Sequence, residues 1–269
     1  MKAIWKGAIS FGLVTIPVGV MSATEEKTVR FHQVHAKDNG RIRMKRTCSE
    51  CGEEVPFDEI IKGHEYEKDR MVVLSDEELE RGAAPTRAID ILAFVRESEI
   101  DPIFWKKSYY LEPDKTGAKA YTLLRKALGE DGLVALARFT MREKEHLATI
   151  RLRGKAFVLE TMYWPDEIRE AEFEVLEVEP EVRPQELKMA RSLVESMTEP
   201  FDPTLYHDEY RLKVQEVIGK KIAGEEITFT AEKPTATVVD LMEALKASVE
   251  AAAERKGDAE AKPKKKATG

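Results

Sequence analysis

The chain has 269 residues and only two cysteines, Cys48 and Cys51. Two thiols in a chain this long exclude a disulfide-stapled scaffold and point to a reducing compartment. Motifs of known catalytic chemistry are missing as well: no Gly-x-Gly-x-x-Gly, no Walker loop and no Gly-x-Ser-x-Gly. The five histidines are scattered. The many carboxylates fall in acidic stretches such as DEIREAEFEVLEVEPE (166–181), which read as a solvated face. No window approaches a membrane span. The longest uncharged run, GAISFGLVTIPVGVMSAT (7–24), is interrupted by Gly7, Gly12, Pro17 and Gly19 and is rich in β-branched residues. Strands broken by turns fit it better than the continuous apolar core of a secretion signal.

What is present describes a globular protein with a busy surface, 42% hydrophobic and 35% charged. The net charge of -7 taken alone argues against a polyanionic partner, but it conceals a pattern. Residues 1–50 hold nine Lys/Arg against four Asp/Glu, and residues 51–100 hold six against fourteen. The last sixteen residues hold six against three. Local patches, not the sum, set the field that a polyanion feels.

Period-two alternation dominates the first two-thirds. It predicts strands at AISFGLVTIPV (8–18), TVRFHQVHA (28–36) and RIRMKR (41–46), short apolar runs predict them at 71–74 and 89–95, and 106–111 is another short candidate strand. Three more are predicted at 133–142, 147–153 and 155–164, with REKEH (142–146) as the turn between the first two. GAKAYTLLRKALGEDG predicts a helix whose stripe is Tyr121, Leu124 and Leu128, closed by Gly129. The final third reads as helical. Pro184 opens a helix with the stripe Leu187, Ala190, Val194 and Met197, EPFDP breaks it, and a second helix carries Tyr210, Val214, Val217 and Ile218. After a linker at 228–236, Thr237 and Asp240 form a capping box for a third helix striped by Val238, Met242, Leu245 and Val249. A lysine-rich tail that can bury no core ends the chain.

Two features carry chemistry. Cys48-x-x-Cys51-Gly52 has the shape of a zinc knuckle, but a structural zinc site takes four ligands. Histidine or a second subunit would have to complete it. A reduced turn without metal is the competing reading, and a thioredoxin-like redox pair lacks the βαβ setting it needs. The second feature is a set of basic strand faces. Arg41, Arg43 and Lys45 alternate along one extended segment with Arg46 following, and Arg138, Arg142, Arg151 and Arg153 lie on the polar faces of two consecutive strands. Alternate residues on a strand stand about 6.6–6.8 Å apart, so such a row can track a phosphate backbone without reading bases. The aromatic interleaving of a single-strand binder is missing, which favours duplex contact. Spacing alone leaves two alternatives open: basic side chains capping a solvent-facing sheet, and a zinc-knuckle protein–protein adaptor or regulator without end-specific DNA binding.

The order of segments adds a resemblance. MKAIWKGAISFGLVTIPV, SATEEKTVRFHQVHAKDNGRIRMKRTCSECGEEVPFDEIIKGHEY, ARFTMREKEHLATIR and SMTEPFDPTLYHDEYRLKV, in that order over about residues 1–228, closely resemble the prokaryotic Ku family. The resemblance implies a mixed, mainly β fold: a Ku-like β-barrel core with an extended arm at 1–184, a helical C-terminal region at 185–228, and a linker, amphipathic helix and lysine-rich tail at 229–269. It implies a non-enzymatic homodimeric ring that threads onto double-stranded DNA ends without sequence preference. The ring would recruit a multifunctional ATP-dependent DNA ligase for non-homologous end joining. The family's basic lumen places Arg41, Arg43, Lys45, Arg46, Arg138, Arg142, Arg151 and Arg153 as DNA-contact candidates, and the tail adds Lys264, Lys265 and Lys266. No cofactor is required on this reading, zinc at Cys48 and Cys51 stays open, and the expected location is cytoplasmic, at the nucleoid and away from membranes.

Overall fold

In a computed structural model, residues 1–82, 87–129, 132–142, 144–225, 242, 244–245 and 247–249 are described. The chain divides into two compact units, Met1–Ala171 and a second beginning at Glu172.

The first unit is built on a closed seven-stranded barrel. Its strands are β1 (Trp5–Phe11), β2 (Val14–Ser22), β5 (Ala88–Arg96), β6 (Trp105–Pro113), β7 (Leu133–Met141), β8 (Lys144–Arg153) and β9 (Ala156–Met162), and they neighbour one another in the order β1-β2-β6-β9-β8-β7-β5. All pairings are antiparallel except the one that closes the barrel, where β5 runs parallel to β1 at Ala8↔Ala88, Ile9↔Ile89 and Ser10↔Asp90. The alternation read in the sequence fills the inside: Ile9, Ile89, Ala135, Ala137, Ile150, Phe157 and Leu159 are fully buried. At Gly7 the barrel leaves no room for a side chain. A Cβ there would collide with the Trp5 ring and the Arg87 carbonyl, which accepts the Ala8 N–H.

The segment 8–18 is not one strand. The chain reverses at Gly12 and Leu13, Gly12 supplies the positive φ of +58°, and β1 pairs back on β2 from Phe11↔Val14. A two-residue hairpin turn needs that conformation, which glycine adopts at little cost. Pro17 therefore sits inside β2, one residue before pairing with β6 begins at Val18.

Helix α2 (Ala118–Leu128) packs on the barrel through Tyr121, Leu124 and Leu128, the expected stripe, and ends at Gly129 with φ +62°. Tyr121 fixes it in place. Its hydroxyl donates to the Leu111 carbonyl at 2.8 Å and accepts the Phe157 N–H at 2.7 Å, tying the helix to both β6 and β9.

Between β2 and β5 lies an arm. It holds a two-stranded hairpin, β3 (Lys62–Glu67) and β4 (Arg70–Leu74), followed by α1 (Asp76–Gly82). The expected strands at 28–36 and 41–46 are not formed. Single bridges, Val34↔Arg41 and Thr47↔Glu54, hold these stretches as two loose loops. The physical reason is the absence of a neighbour: alternation favours a strand, but a ladder needs a partner edge and a face to bury.

In the second unit, α3 (Pro184–Met197) and α4 (Glu209–Ala223) form as expected. Pro184 takes the first helical position, the Glu186 carboxylate accepts the Arg183 N–H, and Asp208 caps α4 by accepting the Arg211 N–H. Neither helix contains a fully buried residue: in their apolar stripes Leu187, Val194, Met197 and Tyr210 are exposed, and Ala190, Val214, Val217 and Ile218 are half-buried. Met242, Ala244, Leu245, Ala247, Ser248 and Val249 are helical, in line with the third predicted helix. The capping pair Thr237 and Asp240, the linker at 228–236 and the tail lysines Lys264, Lys265 and Lys266 lie outside the described residues.

Candidate nucleic-acid interface

The pairing register fixes where each barrel residue lies. One end of the barrel collects the start of β1, the end of β2, the start of β6, the end of β9, the start of β8, the end of β7 and the start of β5. The arm leaves from this end after Ser22, where the Ala23 N–H bonds the Ser108 carbonyl, and the chain re-enters the barrel here at β5. Cations gather at the same end, with Glu145 and Glu167 among them. Lys107 lies 5.7 Å from the Tyr109 ring centre, and burial holds the Tyr109 hydroxyl above its ordinary pKa against the opposing charge of Arg142. Lys106 stacks on Tyr163 at 4.4 Å. Burial holds the His146 pKa below its ordinary value, and Lys106 and Lys144 add to that shift. Arg142 occupies the β7–β8 turn with φ +53°.

The four arginines expected to form one cluster are divided. Arg138 lies opposite Leu147, four residues before Arg151 on β8, so the two are about 13 Å apart along the sheet. Arg142 lies at the arm-bearing end, whereas Arg153 pairs with Ala156 at the other. Their environments differ as well. Arg138 makes an exposed pair with Glu145 at 3.4 Å. Arg153 donates to the Tyr110 hydroxyl at 3.1 Å. Arg151 makes two 2.9 Å bonds to Glu160 and approaches Glu97 at 3.7 Å, with Ser108 also donating to Glu160. Burial pushes the Glu160 carboxyl up, but the Arg151 bonds and charge, with Ser108, outweigh it and hold the carboxyl below its usual range. Arg151 is thus a strut between β8 and β9, with its guanidinium already occupied.

On the arm, Arg41, Arg43, Lys45 and Arg46 are all exposed. Lys45 pairs with Glu54, and the Arg46 guanidinium lies 5.4 Å from the centre of the Phe57 ring. Ile42 and Met44, which alternate with these cations, are 50% and 84% exposed.

The cysteine turn is a well-formed knuckle. Cys48 N–H bonds the Glu53 carbonyl, Gly52 N–H bonds the Cys48 carbonyl, and Gly52 takes φ +74°. The backbone N–H groups of Cys51 and Glu50, with the Cys51 thiol, hold the Cys48 thiol below its ordinary pKa. Amides directed at sulfur suit a zinc thiolate. The fit covers half a site, because among the described residues no group of three or more His, Cys, Asp and Glu is placed to hold a metal.

Sequence reading missed Lys106, Lys107 and Lys144. Their adjacency arises only from barrel register, although the dilysine before SYYL was visible. Among the described residues no helix is long and apolar enough to cross a membrane.

A barrel with a projecting arm and cations gathered at one end has matches among known proteins. Residues 10–189 match the Ku70/Ku80 beta-barrel domain. Proteins named Non-homologous end joining protein Ku are similar over nearly the whole chain. The one from Frankia casuarinae is 51% identical over 96% of this chain and 66% of its own length. That from Mycolicibacterium smegmatis is 44% identical over 96% and 83%, and that from Mycobacterium tuberculosis H37Rv is 44% identical over 93% and 96%. The chain belongs to the Ku family.

Proposed function

We propose that this protein binds the ends of double-stranded DNA in non-homologous end joining, without reading sequence, as a homodimeric ring. It performs no catalysis itself and recruits a multifunctional ATP-dependent DNA ligase. One observation carries the reading: the arm departs from, and the chain returns to, the end of the barrel where Lys106, Lys107, Arg142 and Lys144 collect. A duplex passing between arm and barrel end would meet cations on two sides, Arg41, Arg43 and Arg46 from the arm and the lysine group from the barrel. Contacts of this kind neutralise phosphates and release counterions, which gives affinity without sequence preference.

The homodimer is supported by what the arm lacks. From residue 21 to residue 79 no described residue is buried, while Phe31, Met44, Phe57, Ile61, Met71 and Val73 are exposed. A two-stranded hairpin with no covered face is marginal in water, and a second arm would supply the missing face. The exposed apolar residues of α3 and α4 within 185–228, Leu187, Val194, Met197 and Tyr210 among them, are the ligase or dimer surface on this reading. The lysine tail within 229–269 adds further phosphate contacts through Lys264, Lys265 and Lys266, and the protein works in the cytoplasm at the nucleoid.

The test is a gel shift with linear, hairpin-capped and closed circular duplexes of equal length. Threading requires binding to the linear form, none to circles, and steep loss of affinity with salt. Equal binding to circles and linear fragments would reject it.

A further inference from the structure

On the outer flank of the barrel, beside α2, runs a groove of about 540 Å³. Met21, Pro113, Ala118 and Ala156 give it an apolar floor, and Arg125 and Lys155 close one side. Along β6 its lining runs from Tyr110 to Pro113, three to six residues beyond Lys107, about 10–20 Å.

We propose that this groove docks an acidic peptide of a partner protein, one carrying large apolar side chains between carboxylates. Charge complementarity argues for it. One Arg125 N–H group donates to the Lys155 carbonyl at 3.4 Å, which holds the guanidinium at the groove with its other N–H groups available. Among the described residues neither Arg125 nor Lys155 forms an ion pair with a carboxylate. An apolar floor beside two cations suits a side chain that is hydrophobic and followed by a carboxylate. Arg is well suited to bidentate carboxylate recognition. Glu112 also lines the groove, where it can accept a peptide N–H and repels a dense polyanion. A duplex would gain little from the methyl and methylene floor, whereas Leu or Phe gains about 25 cal/mol for each Å² buried. Tyr121 and Leu111 beneath the groove are fixed by the Tyr121 hydroxyl bonds, so the surface is formed before binding.

The experiment uses the full chain and a fluorescein-labelled hexapeptide, Glu-Asp-Leu-Phe-Asp-Glu, read by anisotropy. Saturable binding is expected. Replacing Leu-Phe with Ser-Ser in the peptide should weaken it at least tenfold, and so should Arg125→Glu with Lys155→Glu. Ala118→Trp, which fills the groove without changing charge, should do the same. Thermal melting shows that each variant is folded, and duplex-end binding should stay within twofold of the parent. The proposal is overturned by no saturable binding, by binding that none of the variants changes, or by a loss of duplex binding that tracks the charge reversals and assigns the groove to DNA. A change in oligomeric state by light scattering in Ala118→Trp would also overturn it, by making the groove a contact between copies.

Discussion

The barrel and the arm are made from similar alternating sequence, yet only one of them has an interior. In the barrel, Ile9, Ile150, Phe157 and Leu159 are fully buried and every strand has two neighbours. In the arm the same alternation at RIRMKR leaves both faces in solvent, and the backbone is held by isolated bridges. Alternation gives a chain two faces but supplies nothing to cover them. The barrel covers its own by closing, and the arm depends on something outside the chain. The two regions should therefore fail differently: damage to the barrel should lower stability, and damage to the arm should lower binding with the melting temperature intact.

The largest effect expected is at Phe157. It is fully buried, and its ring lies 4.6 Å from that of Tyr121. Phe157→Ala should destabilise by about 3–5 kcal/mol, measured by urea unfolding. Tyr121→Phe should cost about 1–3 kcal/mol, because it removes the acceptor for the buried Phe157 N–H while preserving the ring. A melting temperature unchanged in Tyr121→Phe would show that α2 is held by its apolar face alone.

Next comes the Arg151–Glu160 strut. Its carboxylate is held below the usual range in the folded state. A depressed carboxyl pKa contributes stability that is full above the unfolded-state value and is lost as pH falls through the folded value. The parent should therefore lose stability under acid conditions more steeply than Glu160→Gln, with urea midpoints across that range as the measure. Parallel pH profiles would mean that the pair contributes no linkage. At neutral pH Arg151→Ala should destabilise by about 2–4 kcal/mol, because it leaves a buried carboxylate unpaired.

How much was legible in the sequence follows the same division. β7 and β8 were read from period two, β5 from an apolar run and α2 from Tyr121, Leu124 and Leu128, because the apolar residues that mark β7, β8 and α2 are largely the ones that the barrel buries. The hairpin at Gly12 was missed because the alternation continues through the turn, and only the positive φ reveals the reversal. The arm strands at 28–36 and 41–46 were over-read, since alternation is local and a partner edge is not, whereas 71–74 forms within β4, which has β3 as its partner. Among the candidate DNA contacts, residue type was legible but adjacency was not. Arg138, Arg142, Arg151 and Arg153 look alike in sequence, yet the register sends Arg142 to the arm-bearing end, gives Arg151 to Glu160, and brings the unread Lys106, Lys107 and Lys144 beside Arg142.

The smallest effects on stability should accompany the clearest effects on binding. Arg41→Glu with Arg43→Glu places two carboxylates on an exposed loop, and Lys106→Glu with Lys107→Glu does the same at the barrel end. Each pair should leave the melting temperature within a few degrees of the parent. Each should weaken duplex-end binding at least tenfold, equally for unrelated sequences, and reduce the slope of log affinity against log salt by about two. The Lys106 pair should have the larger effect, since these cations stand on a sheet that is already rigid and lose little entropy on meeting a phosphate, whereas the arm must be ordered at the same time. A larger loss from the Arg41 pair would mean that the arm is already ordered by a second copy before DNA arrives. Melting at increasing protein concentration checks this, because an arm covered by a partner gives a transition that rises with concentration.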